Sequence, residues 1–400
     1  MRLLYFNPEN DLALAANDPH YTPPASALQM ATDLQRLPLR WAEEGDWLLL
    51  RKPYGPTPLP LPCREGSNFS SNNDRVSACQ TDSTPFPTRV VREEGIDLMS
   101  IAPSDRGLTP KPRTGKQGGG SFFPFPWGWS PLTVTDYLRA GVPAELLPTD
   151  AEMQAFRTLA GRATAADVLR RVRERLSADG YGDSLTGEAY VCRSLEEARR
   201  WHERFGESIF KQPWSGSGRG LLPAHDGVLT EKNEAWLLRT LRQQGYVMAE
   251  PFYHRRIDLA LEFWRHADDG RVTYEGLSLF MTTAGGVYAG NIVASEEQKR
   301  QFLANIFPSA EEAAAGLALL DATREALIAE LSALPPTFYE GPLGVDMMFV
   351  TPHSSSVILE VSSVPSGRAR HSSFSSPRLL LHPCVEINFR MTMGWLALHV

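Results

Sequence analysis

The segment Lys211–Gly220 combines residue types that suit phosphate binding. It reads Lys-Gln-Pro-Trp-Ser-Gly-Ser-Gly-Arg-Gly and follows a predicted strand over 207–212. Glycines let backbone N–H groups approach phosphate oxygens, and the lysine adds a compact positive charge. The loop is not a Walker loop, because its lysine precedes the glycines, and Leu221 stands where a dinucleotide fingerprint needs its third glycine. A phosphate-binding loop and a plain flexible hairpin turn therefore both remain open.

A second pattern is a row of polar residues in a strand near the end of the chain. Glu386, Asn388 and Arg390 alternate with apolar residues in a predicted strand over 385–389, so they share one face. A carboxylate and an amide two residues apart lie about 7 Å apart along a strand and can hold one or two Mg²⁺ ions. The arginine would clamp a phosphate or a carboxylate. The alternative is a solvent-facing polar edge.

Asp346 is a lone carboxylate in an apolar strand predicted over 345–350. A buried carboxylate is costly unless it meets a cation, which can be a metal ion or an arginine. If this strand pairs antiparallel with the strand that contains Glu386 and Asn388, three metal ligands come together.

The segment that follows Tyr246 carries a fourth, weaker pattern. An apolar strand ends at Glu250, and acidic residues recur at Asp258 and Glu262. Taken alone, the pattern favours salt bridges to Arg255 or Arg256 over a binding site.

At the other end of the chain, a cluster of polar residues directly follows the first predicted strand, 2–6. These residues are Asn7, Glu9, Asn10 and Asp11. Open α/β sheets bind ligands at the carboxyl ends of their strands, which makes this cluster a candidate substrate site. Roles as turn and helix-cap residues are the other interpretation, and the residue types favour it.

The elements around these patterns predict a mixed fold. Strand 2–6, helix 24–37 and strand 47–51 form a parallel βαβ unit. Residues 64–121 and 353–377 lack periodicity and predict irregular insertions. Helical spacing over 150–176 is interrupted near Gly161, and short strands and helices alternate from residue 189 onward.

Composition limits the class of protein. The 400 residues are 42% hydrophobic and 22% charged, which is typical of a globular chain of two to three domains. A net charge of −7 argues against nucleic-acid or anionic-membrane binding. No apolar run is long enough to span a membrane, and the apolar run in the first residues is too short for a signal peptide. The four cysteines are scattered, so we expect free thiols and a cytoplasmic protein.

In this order, the four patterns resemble the ATP-grasp superfamily, the ATP-dependent ligases related to D-alanine–D-alanine ligase and biotin carboxylase. The resemblance runs from about residue 156 to 394. It implies an N-terminal α/β domain followed by an α+β ATP-grasp domain that holds ATP between two lobes. The expected boundaries are 1–125 for the N-terminal domain, 126–180 for a helical connector, 181–252 for the small lobe and 253–400 for the large lobe. The segments 5–11 and 213–220 resemble a bacterial branch of this group, which implies no substrate.

The resemblance also assigns roles to residues. The implied ATP-binding residues are Arg162 (where lysine is usual), Lys211, the lid residues Ser215, Gly216, Ser217, Gly218, Arg219 and Gly220, the adenine-binding hinge Glu250, Pro251 and Phe252, and Asp258 for the ribose. Asp346, Glu386 and Asn388 correspond to the metal ligands, and Lys211 and Arg390 to the catalytic residues. Glu360 competes as a ligand, but Ser362 stands where the family has asparagine, so Glu386 is preferred.

The implied chemistry is that of an ATP- and Mg²⁺-dependent ligase, with Mn²⁺ as an alternative metal. A small-molecule carboxylate becomes an acyl phosphate, and an amine or similar nucleophile displaces the phosphate. Two alternatives are a kinase-like phosphotransferase and a non-catalytic nucleotide-binding module. No nucleic-acid or membrane partner is expected, and a homodimer remains open.

Overall fold

The computed structural model describes residues 1–51, 96–100, 123–216, 219–225, 227–282, 288–352 and 378–399. For 96–100 and for Thr282, it describes the backbone alone.

The N-terminal part is a four-stranded sheet with the order β3-β2-β1-β4. Its elements are β1 (Arg2–Tyr5), α1 (Asn10–Ala16), α2 (Ala25–Asp33), a 3-10 turn (Leu37–Arg40), β2 (Trp47–Arg51), β3 (Ile96–Ser100) and β4 (Phe123–Pro126). The strands β2 and β4 run parallel to β1, which confirms the predicted parallel unit. The polar residues after β1 lead directly into α1, so the predicted turn ends in a helix that begins at Asn10.

Helices connect this sheet to the rest of the chain. They are α3 (Pro131–Arg139), a 3-10 turn (Ala144–Leu146), α4 (Asp150–Leu159), α5 (Arg162–Ala178) and a second 3-10 turn (Gly182–Ser184). The predicted interruption is confirmed, because Gly161 has an extended conformation between α4 and α5. A Cβ there would lie 3.2 Å from the carbonyl oxygen of Thr158, so glycine fits this tight break. The break brings Arg162 to the first turn of α5.

The small lobe is an antiparallel sheet with the order β5-β8-β6-β7, covered by two helices. Its elements are β5 (Tyr190–Cys192), α6 (Leu195–Phe205), β6 (Ser208–Lys211), β7 (Leu221–Ala224), α7 (Glu231–Gln244) and β8 (Val247–Pro251). Ser194 accepts a hydrogen bond from the backbone N–H of Glu197, the helix cap that the sequence predicts. Phe210 and Leu237 are fully buried between the sheet and the helices. This packing fixes Lys211 at the end of β6.

The large lobe is an antiparallel sheet with the order β11-β10-β9-β12-β13. Its elements are β9 (His254–Arg265), β10 (Val272–Thr282), β11 (Tyr288–Asn291), α8 (Glu296–Ala304), α9 (Ala310–Ser332), β12 (Gly341–Thr351), β13 (Leu380–Asn388) and α10 (Met393–Ala397). One continuous core joins this sheet to α5, α9 and the N-terminal sheet, with Leu3, Phe156, Phe263 and Leu327 among its buried members.

These elements confirm the predicted class, an α/β N-terminal part followed by two α+β lobes. The segment 64–121, predicted to be irregular, contains the strand β3, and its remaining residues lie outside the described part, as does the predicted insertion 353–377. The strand β4 crosses the boundary expected at residue 125. None of the described helices combines the length and the apolar character that a membrane span requires. Cys192 and Cys384 are free and buried, as expected, whereas Cys63 and Cys79 lie outside the described residues.

Candidate functional site

The antiparallel pairing that would bring the two acidic strands together is present. The strands β12 and β13 run antiparallel with Asp346 opposite Glu386, and Asn388 donates a hydrogen bond of 3.3 Å from its Nδ2 to Asp346 Oδ2. Burial, together with a smaller contribution from the nearby Glu386 carboxylate, raises the pKa of Asp346 to about 7. Two carboxylates and an amide oxygen in one place form the oxygen-rich set that Mg²⁺ binds. The residues therefore fit a divalent cation.

No group of three or more His, Cys, Asp or Glu side chains in the described part of the chain forms a metal cluster by itself. A cation between Asp346 and Glu386 would need the amide of Asn388, and oxygens from a bound phosphate or water would complete its shell.

Arg162 lies against this acidic cluster. Its Nη2 is 2.8 Å from Glu386 Oε1, and it also donates to the carbonyl oxygens of Gln212 and Ser215. The guanidinium is 8% exposed, and its Nη1 is buried with no hydrogen-bond partner among the described residues. An unused buried donor is costly, so Nη1 is suited to an incoming anion.

The glycine-rich loop after β6 closes over the same cleft. The ring of Trp214 anchors it, because Nε1 donates to the carbonyl oxygen of Arg157 and the Arg157 guanidinium stacks 3.5 Å from the indole. The loop returns at Gly220, whose carbonyl oxygen accepts from the N–H of Gln212 and whose φ of +67° suits glycine. Ser215 Oγ is buried without a partner in the described structure. This hydroxyl is a second unused hydrogen-bonding group in the cleft.

Within the described part of the loop, Gly216 approaches the N-terminal part of the chain. A Cβ at Gly216 would meet Asp11 Oδ2 at 1.8 Å, so only glycine allows this close approach. Arg219 is exposed, and Ser217 and Gly218 lie outside the described residues.

Arg390 joins the loop side of the cleft to the N-terminal part. It follows β13 and donates from Nε to Asp11 Oδ1 at 3.0 Å and from Nη2 to Asn388 Oδ1 at 2.9 Å. Asn10 in turn donates to Asp11 Oδ1. Of the four polar residues predicted after β1, Asn10 and Asp11 thus line the cleft.

The other two residues of that cluster do not line the cleft. Asn7 is buried and binds Gly128 and Thr133, which joins β1 to the start of α3. Glu9 forms a buried ion pair with Arg51, which also contacts Asp136. These contacts give Asn7 a role in joining β1 to α3 and place Glu9 in a separate charged cluster.

Lys211 and Glu250 face each other across β6 and β8. Lys211 Nζ donates to Glu250 Oε2 at 2.6 Å, and both side chains are buried. The residues implied to bind phosphate and adenine therefore neutralise one another in this structure. A nucleotide would have to separate them.

The hinge after β8 and the acidic residue that follows it also form hydrogen bonds within the protein. Pro251 is the last residue of β8, and the N–H of Phe252 donates to the carbonyl oxygen of Glu207 at 3.1 Å. Asp258 accepts a hydrogen bond of 3.0 Å from Arg255, the salt bridge that the sequence favoured. The hinge amide and the acidic residue thus both have protein partners.

A narrow cavity of about 30 Å³ marks the centre of the site. Its lining includes Asp11, Ser215, Glu386, Asn388 and Arg390, so the sheet edge, the loop and the N-terminal part all contribute. That volume holds about two water molecules.

Two buried polar residues near the cleft were given no role from the sequence: His382 was not noticed, and Glu262 was named only in the weak acidic pattern that favoured salt bridges. Glu262 lies on β9 and accepts from Thr392 Oγ1 at 2.8 Å; burial raises its pKa to about 8. His382 lies on β13 and is 1% exposed. Both have apolar residues on either side in the sequence, a signal that marks a candidate without deciding whether the side chain faces solvent or the core.

No protein-family model matches this sequence, and the comparison with curated proteins finds no match. The fold is similar to that of biotin carboxylase from Campylobacter jejuni, a complex with a nucleotide (12% identity, 67% of this chain and 49% of that chain, TM-score 0.39). It is also similar to D-alanyl-alanine synthetase A from Vibrio cholerae (9% identity, 57% and 56%, TM-score 0.32). A third match is N5-carboxyaminoimidazole synthetase from Staphylococcus aureus with ADP (14% identity, 54% and 52%, TM-score 0.32). The chain spans about half the length of the solved structures that it matches, for example 46%.

Proposed function

We propose that this chain is an ATP-grasp enzyme, an ATP- and Mg²⁺-dependent ligase that activates a small carboxylic acid as an acyl phosphate for attack by an amine. The observation that carries this proposal is the pair of unused buried groups, Arg162 Nη1 and Ser215 Oγ, beside the oxygen ligands of Asp346, Glu386 and Asn388. Hydrogen-bond donors for phosphate next to ligands for Mg²⁺ suit a metal–triphosphate complex.

Each side chain has a role in this proposal. Bound Mg²⁺ would neutralise negative charge on the β- and γ-phosphates. Arg162 turns from Glu386 toward phosphate oxygens, and Lys211 does the same as it leaves Glu250. The glycine-rich loop covers the phosphates and excludes water, which would otherwise hydrolyse an acyl phosphate.

Arg390 is the proposed clamp for the reacting acid. Its guanidinium donates hydrogen bonds both to Asn388 of the metal cluster and to Asp11 of the N-terminal part, so it lies between these two groups. A substrate carboxylate would replace Asp11 as its partner, which puts the attacking oxygen near the γ-phosphate. The same arginine then stabilises the negative charge that develops when the amine attacks.

Hydroxylamine tests this reaction without knowledge of the amine. Acyl phosphates react with hydroxylamine to give hydroxamates, so a panel of carboxylic acids can be screened with Mg·ATP and hydroxylamine. We expect ADP release that depends on one class of acid, with a hydroxamate formed in equal amount. ADP with a phosphorylated product and no hydroxamate would replace the ligase by a phosphotransferase. Nucleotide binding without ADP release under any mixture would favour a binding module.

A further inference from the structure

A second cavity lies beside the indole of Trp129. Its volume is about 210 Å³, compared with about 30 Å³ for the cavity at the metal ligands. Trp129 lines both cavities and is itself buried, so this one ring lies between them. An apolar cavity of about 150 Å³ accepts a molecule as large as benzene. The second cavity therefore has room for a small organic molecule next to the proposed site of reaction.

Aromatic and aliphatic side chains form much of the wall of this cavity. Phe338 packs edge-on against Trp129 at 5.4 Å between ring centroids, and Phe123 lines the cavity from the first residue of β4. Phe123 is 43% exposed and Leu146 is 37% exposed, although both line the cavity. A ligand with an apolar body would remove this surface from water, which is favourable. The wall is thus suited to a ligand that is partly hydrocarbon.

The charged residues that line the cavity all have the same sign. They are Glu145, Glu152 and Glu340, and no Lys, Arg or His lines the cavity in the described part of the chain. Glu152 accepts hydrogen bonds from the backbone N–H and the hydroxyl of Thr149, which lower its pKa and keep it ionised. Aromatic faces also attract cations, because the ring carries negative charge on its face. The lining therefore favours a cationic ligand.

The proposed reaction needs an amine, but the carboxylates cannot hold the nitrogen that reacts. The attacking nitrogen must be the neutral free base. It forms a bond to the carbonyl carbon of the acyl phosphate, the C–O bond to phosphate breaks, and the departing phosphate takes the proton that the nitrogen loses. An alkylammonium such as that of lysine has a pKa of about 10.4 and is protonated at neutral pH. A second nitrogen of the same molecule can thus stay charged while the first one reacts.

We propose that this cavity binds the amine substrate and that the substrate is an aliphatic diamine or polyamine. One ammonium lies among the three glutamates, and the alkyl chain packs on Phe123 and Phe338. The other nitrogen points toward Trp129 and the cleft beyond it. This inference rests on the proposed function and adds the chemical class of its nucleophile.

The test compares 1,4-diaminobutane with 1,4-butanediol, which has the same carbon chain and no charge. Dissociation constants are measured by titration calorimetry in the wild type, Glu145→Gln and Glu145→Gln/Glu340→Gln. We expect the wild type to prefer the diamine. Each lost carboxylate should weaken the diamine about fivefold, the strength of an exposed ion pair, and leave the diol unchanged. Added NaCl should weaken the diamine in the same direction.

The matched control is Glu203→Gln, in which an exposed glutamate of α6 that does not line the cavity is replaced. It should bind the diamine as the wild type does. The amine site is wrong if the wild type binds the diamine no better than the diol. It is equally wrong if the double variant keeps the affinity of the wild type for the diamine.

The hydroxamate assay separates this inference from the proposed function, because hydroxylamine replaces the amine. With an acid identified in that assay, Glu145→Gln should raise the KM for 1,4-diaminobutane about fivefold without raising the KM for the acid. If the wild type forms hydroxamate but its KM for the diamine equals that of the variant, only the amine site is overturned. If the wild type forms no hydroxamate with any acid, the ligase and the amine site are overturned together.

Discussion

The guanidinium of Arg162 lies 2.8 Å from the carboxylate of Glu386, although 224 positions separate them in the sequence. The pair joins the first turn of α5 to the end of β13 and places a cation where a metal–phosphate complex would bind. A ligand that carries both Mg²⁺ and phosphate satisfies both partners at once, because the metal takes the carboxylate and the phosphate takes the guanidinium. In the absence of a ligand, the two charges that would bind metal and phosphate thus neutralise each other.

The first prediction concerns Glu386. Glu386→Gln keeps the size of the side chain but removes a metal ligand, so we expect it to lose most of the stabilisation by Mg·ATP. A ligand at 100 times its Kd adds about 2.7 kcal/mol to the wild type, visible as a shift in Tm. Glu330→Gln is the matched control. Glu330 also pairs with arginines of α5, Arg171 and Arg175, but it lies outside the cleft. Equal shifts in the wild type and Glu386→Gln would contradict the metal assignment.

The second prediction concerns the buried pair of Lys211 and Glu250. Lys211→Met alone leaves a buried carboxylate without its cation, which costs about 3–5 kcal/mol in free energy of unfolding. The double variant Lys211→Met/Glu250→Leu removes both charges and should recover most of that loss. Urea unfolding measures the stability, and ATP titration measures binding. We expect the double variant to be stable and yet to bind ATP at least tenfold more weakly than the wild type. If the stable double variant binds ATP normally, Lys211 does not contact the nucleotide.

The third prediction concerns the close packing of Gly394, in α10, against Glu262. A Cβ at Gly394 would lie 2.0 Å from Glu262 Oε1 and 2.6 Å from Ser278 Oγ. Gly394→Ala therefore forces these groups apart, and we expect a loss of about 1–3 kcal/mol in urea unfolding. At Gly182 the nearest atom would be 3.5 Å from a new Cβ, so Gly182→Ala should change stability by less than the first variant. The reverse order would contradict the packing of α10 on β9.

The fourth prediction concerns pH. Burial raises the pKa of Glu262 from 4.5 to about 8, so the folded state binds its proton more tightly than the unfolded state does. The free energy of unfolding therefore falls as pH rises between about 4.5 and 8, by up to about 1.4 kcal/mol per pH unit from this group. Glu262→Gln removes that contribution, so the variant gains stability over the wild type as pH rises.

Urea unfolding of both proteins at several pH values across this window measures the difference. The exposed Glu203→Gln is the control, because it makes the same substitution without removing a buried carboxyl. A constant difference between Glu262→Gln and the wild type would show that Glu262 is ionised throughout the window.

The sequence determined the elements and some of the long-range order of this protein. Alternation of apolar residues predicted the strands that carry Asp346 and Glu386, and it left their antiparallel pairing as a condition that the structure meets. Helical spacing located α4 and α5 and the break at Gly161. These predictions succeeded because periodicity and turn residues act within a few positions of the chain.

Only the tertiary structure decided which charges meet. Lys211 pairs with Glu250, Arg162 with Glu386 and Asp11 with Arg390, and no local pattern distinguishes these partners from other charged residues. The burial of His382 and Glu262 was equally hidden, since a lone polar residue in an apolar strand can face solvent or the core. Ion pairing and desolvation depend on distance through space, and the packing of three sheets sets that distance.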